Sequence, residues 1–160
     1  MFRTFMIAAA SAAVFTFSAT AFAQQPGQNG TAAEAKAMLL KAIAAVKADK
    51  TKALEMIAKG EGGFLDRDLH PFCANVSDGK LHPFPNPNAK QLFGTDGRNI
   101  KDVTGKEFGK EVYAAGQKPE GEITEVSYMS AEPGPNPTRV PKVIFVARAG
   151  DLYCGVGYYK

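Results

Sequence analysis

Few side chains in this sequence have the type and spacing to do chemistry. Cysteine occurs only at Cys73 and Cys154, and histidine only at His70 and His82. These four are spread from residue 70 to residue 154, with no CxxC, CxxCH or HExxH among them, which is a weak basis for a zinc site. Neither cysteine has the glycine flanks of a nucleophile elbow, and no base is identifiable beside either. Asp66, Asp68, Asp78, Asp96 and Asp102 fall at turn signals, and Asp96-Gly97-Arg98 lacks the calcium-loop register, so they read as turn formers. Gly155 and Gly157 alternate with Val156 and Tyr158 and leave one strand face open to close approach. No helix follows them to hold a phosphate. The remaining polar groups suit binding better than catalysis. Lys142 interrupts an apolar run and either points to solvent or meets an anion in a pocket. Tyr128, Tyr153 and Tyr158 offer hydroxyls and aromatic surface, or else pack as core with their hydroxyls reaching water. No metal, cofactor or catalytic residue is expected.

The start of the chain gives an address. One positive charge at Arg3 precedes an uncharged, mostly apolar stretch from Thr4 to Phe22, which ends in Ala21-Phe22-Ala23 before Gln24. That order describes a secretory signal peptide over residues 1–23, cleaved after Ala23. Alanine and serine dilute its hydrophobicity below that of a membrane anchor. A periplasmic or secreted chain of about 140 residues is left, enough for one domain with a real core. The whole sequence carries 19 Lys and Arg against 16 Asp and Glu. Losing Arg3 brings it closer to neutral, which argues against a nucleic-acid-binding face. In an exported protein the even cysteine count invites a disulfide.

The elements that must position these residues follow in order. Residues 24–30 are polar and Gly/Pro-bearing and read as a flexible lead-in to one domain over residues 31–160. Thr31-Ala32-Ala33-Glu34 is a capping box opening a long helix. Ala35, Met38, Leu39, Ala42, Ile43 and Val46 form its apolar stripe. Lys36, Lys41, Lys47, Lys50 and Lys52 are read as a solvated face. The pattern stutters near Asp49, and a second helix ends at Gly60. Beyond Gly63 the periodicity becomes that of strands. Phe72 to Val76 runs into a turn at Ser77-Asp78-Gly79-Lys80, and Lys80 to Pro83 returns. Prolines 83, 85 and 87 then end any ladder. Glu107 to Ala115 suggests a short helix. Glu122 to Met129, Val140 to Arg148 and Leu152 to Tyr159 read as strands, with a proline-rich loop at residues 132–137. The fold class expected is α+β: a long N-terminal helix packed on a five-stranded antiparallel sheet.

From about Ala32 onward the chain resembles the single Cache family, the extracytoplasmic PAS-like sensor modules of bacterial chemoreceptors and kinases. The resemblance rests on segments in the right order. Gly63-Phe64-Leu65-Asp66-Arg67-Asp68-Leu69 looks like the approach to the family's first strand, and Phe72-Cys73-Ala74-Asn75-Val76-Ser77-Asp78-Gly79 like that strand and its turn. Leu81-His82-Pro83 is similar to its Ala-His-Pro. Gly94 and Lys101-Asp102-Val103-Thr104-Gly105-Lys106-Glu107-Phe108 resemble its D-x-x-G-K-x-F stretch. Gly121, Val126-Ser127-Tyr128 and Pro141-Lys142-Val143 are similar to its third and fourth strands, and Cys154-Gly155-Val156-Gly157-Tyr158-Tyr159 to its closing strand. Two departures touch the pocket wall. His70 stands where the family carries an aromatic, and residues 78–83 are one residue short. His70 itself reads as an exposed or strand-edge residue.

The resemblance implies a binding module for a small organic molecule, by expectation a small carboxylate, held by Lys142, Tyr128, His82, Tyr153 and Tyr158 with proline-rich loops at 83–88 and 133–137 as rims. His82 would donate to a bound carboxylate or amide, or bond a loop carbonyl structurally. The family's first and last strands are antiparallel neighbours at the middle of the sheet, which would let Cys73 and Cys154 bridge. The family's hosts carry a transmembrane helix after the domain. Here the chain stops at Lys160, so the expectation is a free module, not inserted in a membrane, that serves a membrane receptor or kinase and could dimerise through the long helix. The alternative is a structural or partner-binding protein that kept the fold and lost the ligand. Intact-mass analysis of the exported protein should find a mature N-terminus at Gln24; a retained Met1 would refute the cleavage site.

Overall fold

The computed structural model describes residues 29–131 and 138–160. The cleavage site, most of the lead-in and the 133–137 rim lie outside them. Helix α1 spans Ala32–Ala48, and its capping box is present: Glu34 N donates to the Thr31 hydroxyl at 3.2 Å while the Glu34 carboxylate accepts from Thr31 N at 2.8 Å. Its buried residues are Ala35, Met38, Leu39, Ala42 and Val46. Asp49 leaves the helical region with φ −156° and starts helix α2, Lys50–Lys59, by accepting from Lys52 N. Gly60 stops α2 in the left-handed conformation, φ 70°, where glycine carries no Cβ penalty. Among the described residues no helix is long and apolar enough to cross a membrane.

One antiparallel sheet carries the rest. Its strands are β1 (Pro71–Asn75), β2 (Thr124–Ala131), β3 (Arg139–Ala149) and β4 (Leu152–Tyr159), in spatial order β1-β4-β3-β2. Pro71 opens β1, the one strand position that tolerates a missing donor without an edge or bulge. Helix α3, Phe108–Gly116, lies before β2 in the chain. The α+β class holds, but the sheet has four strands among the described residues, not five. The returning segment at Lys80–Pro83 makes a single bridge to β1, Ala74 to Leu81, and a second one, Lys80 to Asp96, away from it. Asn75 N donates to Lys80 O, and His82 N to Cys73 O. Leu81, between them, turns its own N–H to Thr95 O and its carbonyl to Gly94 N. Pro83 has no donor to lengthen the ladder. β1 therefore lies at the ladder's edge, covered by that bridge, and not at the middle of the sheet.

The pleat gives the sheet two faces. Phe145, Ala147 and Ala149 of β3 and Leu152, Cys154 and Val156 of β4 join α1 and α2 in the larger apolar core. Ile144, Val146 and Tyr153 point the other way and pack with Val112 and Ala115 of α3, Leu81 and Val126. The D-x-x-G-K stretch secures the outer strand. Asp102 accepts from Thr104 N, Lys106 N and Met129 N, and the Lys106 ammonium donates to Ser127 O at 2.7 Å. The Asp102 carboxyl is held far below the usual range by these amides and by the Thr104 hydroxyl, the hydroxyl first and Met129 N next. These bonds also cover an edge that would otherwise be open to pairing.

Cys73 stands directly opposite Cys154 in the β1–β4 register, Cα atoms 4.0 Å apart, and the two form a disulfide between residues 81 positions apart, on the α1 face. Closing so long a loop restricts the unfolded chain by roughly 4 kcal/mol. Replacing both cysteines by alanine should lower the unfolding free energy by about that amount in urea titrations, and the wild type should lose it under reducing conditions. A loss under ~1 kcal/mol would contradict this account.

Candidate functional site

The second sheet face is only partly filled. Between it, α3 and the 81–100 segment lies a cavity of about 330 Å³, within the range of small-molecule sites. Its walls are mostly apolar. Phe84 sits among His70, Phe72 and Phe93, with ring centroids 5.6, 6.3 and 5.1 Å away. Phe108 stacks on Tyr128 at 4.2 Å. The glycines of β4 make the space. A Cβ on Gly155 would come within 2.6 Å of the Phe72 ring, and one on Gly157 within 3.1 Å of Lys142 Cε. Gly155 lets Phe72 lie across the strand, and Gly157 leaves part of the cavity floor bare.

Alternation decides which predicted residues meet. Lys142, Tyr128 and Tyr153 line the cavity, and Tyr159, directly across from Lys142, joins them. Tyr158 does not line it. As an even position of β4 it faces the helices and stacks on Phe145 at 5.4 Å. His82 does not line it either. Its Nε2 lies 2.8 Å from Asn75 Oδ1, and the Asn75 amide N–H donates to Asp78. With the amide oriented that way, Nε2 must be the donor. His82 thus ties the 77–80 turn to β1, and burial lowers its pKa.

Lys142 is the unusual member. It is only 9% exposed, and its Nζ lies 4.1 Å from the Tyr159 ring centroid. Among the described residues its ammonium has no ion pair within 4 Å and no hydrogen bond. Burial lowers its pKa, and Asp68 opposes that shift in part. Tyr128 and Tyr153 are pushed up to about 12, chiefly by burial, so both remain neutral phenols.

His70 corrects the sequence reading. It is half-buried against Phe84, lines the cavity, and its Nδ1 is buried without a partner among the described residues. Burial first and the Lys142 charge second lower its pKa to about 4, while Asp68 pulls upward. Asp68 itself accepts from Gly30 N through Oδ1 and leaves Oδ2 buried and unpaired. The available sequence signal was Asp68-x-His70 immediately ahead of a strand, which is too common a pattern to single out. Among the described residues no three His, Cys, Asp or Glu side chains gather to hold a metal.

The fold is shared in outline with known structures. A methyl-accepting chemotaxis protein from Vibrio parahaemolyticus RIMD 2210633 aligns at 22% identity over 79% of this chain and 86% of its own, TM-score 0.56. A periplasmic sensor domain of a chemotaxis protein aligns at 19% identity over 79% of this chain and 88% of its own, TM-score 0.51. A Cache chemosensory domain described for carboxylic acid recognition superposes at TM-score 0.49 with 18% identity, over 79% of this chain and 86% of its own. The first two define the class: the chain has the fold of periplasmic chemotaxis sensor domains. That is the single Cache fold expected from the sequence. No family model matches the chain, and no curated protein matches it.

The buried neutral imidazole fixes a sign for pH dependence. Unfolded histidine titrates near 6.5 and folded His70 near 4, so the unfolded state binds more protons between those values. Stability should therefore be complete above pH 6.5 and fall as pH drops toward 4. Going from pH 7 to 4.5, wild type should lose roughly 2 kcal/mol more than His70→Phe in urea unfolding. Equal losses in the two proteins would exclude a neutral buried His70.

Proposed function

We propose that this chain is an extracytoplasmic sensing module, periplasmic or secreted, that captures a small organic carboxylate without transforming it. The observation that carries the reading is the Lys142 ammonium, buried at the wall of an apolar cavity with no ion pair or hydrogen bond among the described residues and only the distant charge of Asp68 to offset it. A buried cation without a partner is costly. An anionic ligand would supply the missing partner, with the Tyr128 and Tyr153 phenols as neutral donors and the aromatic walls taking the remainder. The fold shared with periplasmic sensor domains supports the same reading, and the signal peptide read over residues 1–23 agrees with it. The listener would be a membrane receptor or kinase, approached by this module or by a homodimer formed through α1.

A ligand at 100 times its dissociation constant should stabilise the fold by about 2.7 kcal/mol. Thermal unfolding across a panel of small carboxylates should show such a shift for wild type. Lys142→Met should abolish it, and Tyr128→Phe should weaken it. No shift with any member would favour the alternative of a partner-binding protein that no longer holds a ligand.

A further inference from the structure

We propose that His70 is a second anion-contacting residue of this cavity, and that the ligand is a monocarboxylate with an apolar tail and no ammonium group. The proposal rests on the carboxylate reading above and narrows it. Three buried or nearly buried polar groups of one region lack a partner among the described residues. They are the Lys142 ammonium, 9% exposed, His70 Nδ1 and Asp68 Oδ2. His70 and Lys142 both line the cavity, from the segment ahead of β1 and from β3. Two positions from His70, Asp68 is fixed through its other oxygen by Gly30 N at 2.6 Å.

The chemistry of the walls sets the ligand. The charged groups acting on the His70 ring are Lys142 across the cavity and Asp68 on its own segment. The other titratable groups of the lining are the phenols of Tyr128, Tyr153 and Tyr159. No aspartate or glutamate lines the cavity among the described residues. An α-ammonium would enter beside Lys142 with no carboxylate to receive it, so amino acids are disfavoured. One lysine and one histidine match one carboxylate, and a second carboxylate would lie on aromatic wall.

Capture should also draw in a proton. The Lys142 charge helps keep the empty site's imidazole neutral. A carboxylate beside both groups offsets that charge and favours imidazolium. The protonated ring donates from both nitrogens, so one of them can meet the ligand carboxylate. The proton comes from solvent, and no covalent bond changes.

Isothermal titration of the full chain tests this with 4-methylpentanoate and leucine between pH 7.5 and 5.5, where their carboxylates stay largely ionised, and with succinate at pH 7.5, where both of its carboxylates are ionised. Leucine has the carbon skeleton of 4-methylpentanoate plus the ammonium. Wild type should bind 4-methylpentanoate, bind leucine and succinate about 10- to 100-fold more weakly, and gain affinity as pH falls, up to about tenfold per pH unit. Titration in buffers of different ionisation enthalpy should record the proton uptake. His70→Gln, which keeps a donor but cannot titrate, should still bind and lose the pH dependence. Lys142-dependent binding that is flat with pH, a pH slope unchanged in His70→Gln, or leucine binding equal to 4-methylpentanoate would overturn the inference while leaving the carboxylate reading standing. If neither these nor acetate and butyrate bind wild type, both fall.

Discussion

β3 and β4 pair antiparallel from Lys142 opposite Tyr159 to Ala149 opposite Leu152, and this register organises both halves of the molecule. Because successive side chains leave a strand on opposite sides, one alignment commits Phe145, Ala147, Cys154 and Val156 to the helices and Lys142, Ile144, Gly157 and Tyr159 to the cavity. A slip of one residue in either strand would drive its cavity set into the core and its core set into the cavity. The disulfide adds a covalent pin, since Cys73 can meet Cys154 only when β1 and β4 align as they do. The dry side of the sheet, packed against α1 and α2, thereby supports the geometry of the open side.

The open side keeps polar groups that the dry side would not tolerate. Lys142 sits between cross-strand neighbours Tyr128 and Tyr159, and the Tyr159 ring offers the ammonium a π-face in place of a carboxylate. A cation–π contact of this kind is worth about 0.5–2 kcal/mol, well short of the desolvation of a buried ammonium. The lowered pKa of the lysine and the neutral state of His70 have the same origin. Both record burial in an apolar space, to which the Lys142 charge adds at His70 and which Asp68 opposes only in part at each. The phenols beside it are driven the other way by the same burial and hold their protons. The site is thus a set of donors arranged around a deficit of negative charge.

Much of this was legible along the chain, because the signals involved are local. Thr31 and Glu34 announce the capping box, Asp49 the break between helices, Gly60 the stop, and period-two alternation the last three strands. The resemblance to Cache modules ordered these pieces and brought Cys73 to Cys154. Where neighbours in sequence were the wrong guide, the reading failed. The Lys80–Pro83 return looked like a strand, yet Leu81 spends its backbone groups on residues 94 and 95. That choice belongs to the fold of a distant segment. Tyr158 was drawn into the site by its residue type and His82 by the resemblance, whereas the pleat turns one to the core and Asn75 engages the other.

What the sequence alone determined is therefore the class of fold, the order of its elements and the presence of a lysine where an apolar strand should have none. Each rests on interactions between residues a few positions apart. The tertiary structure decided which polar groups share the cavity. His70 and Lys142 are separated by most of the sheet's sequence, and their electrostatic coupling depends on strand order and register. Burial, the physical cause of their perturbed protonation, is a property of everything packed around them and is written in no single segment.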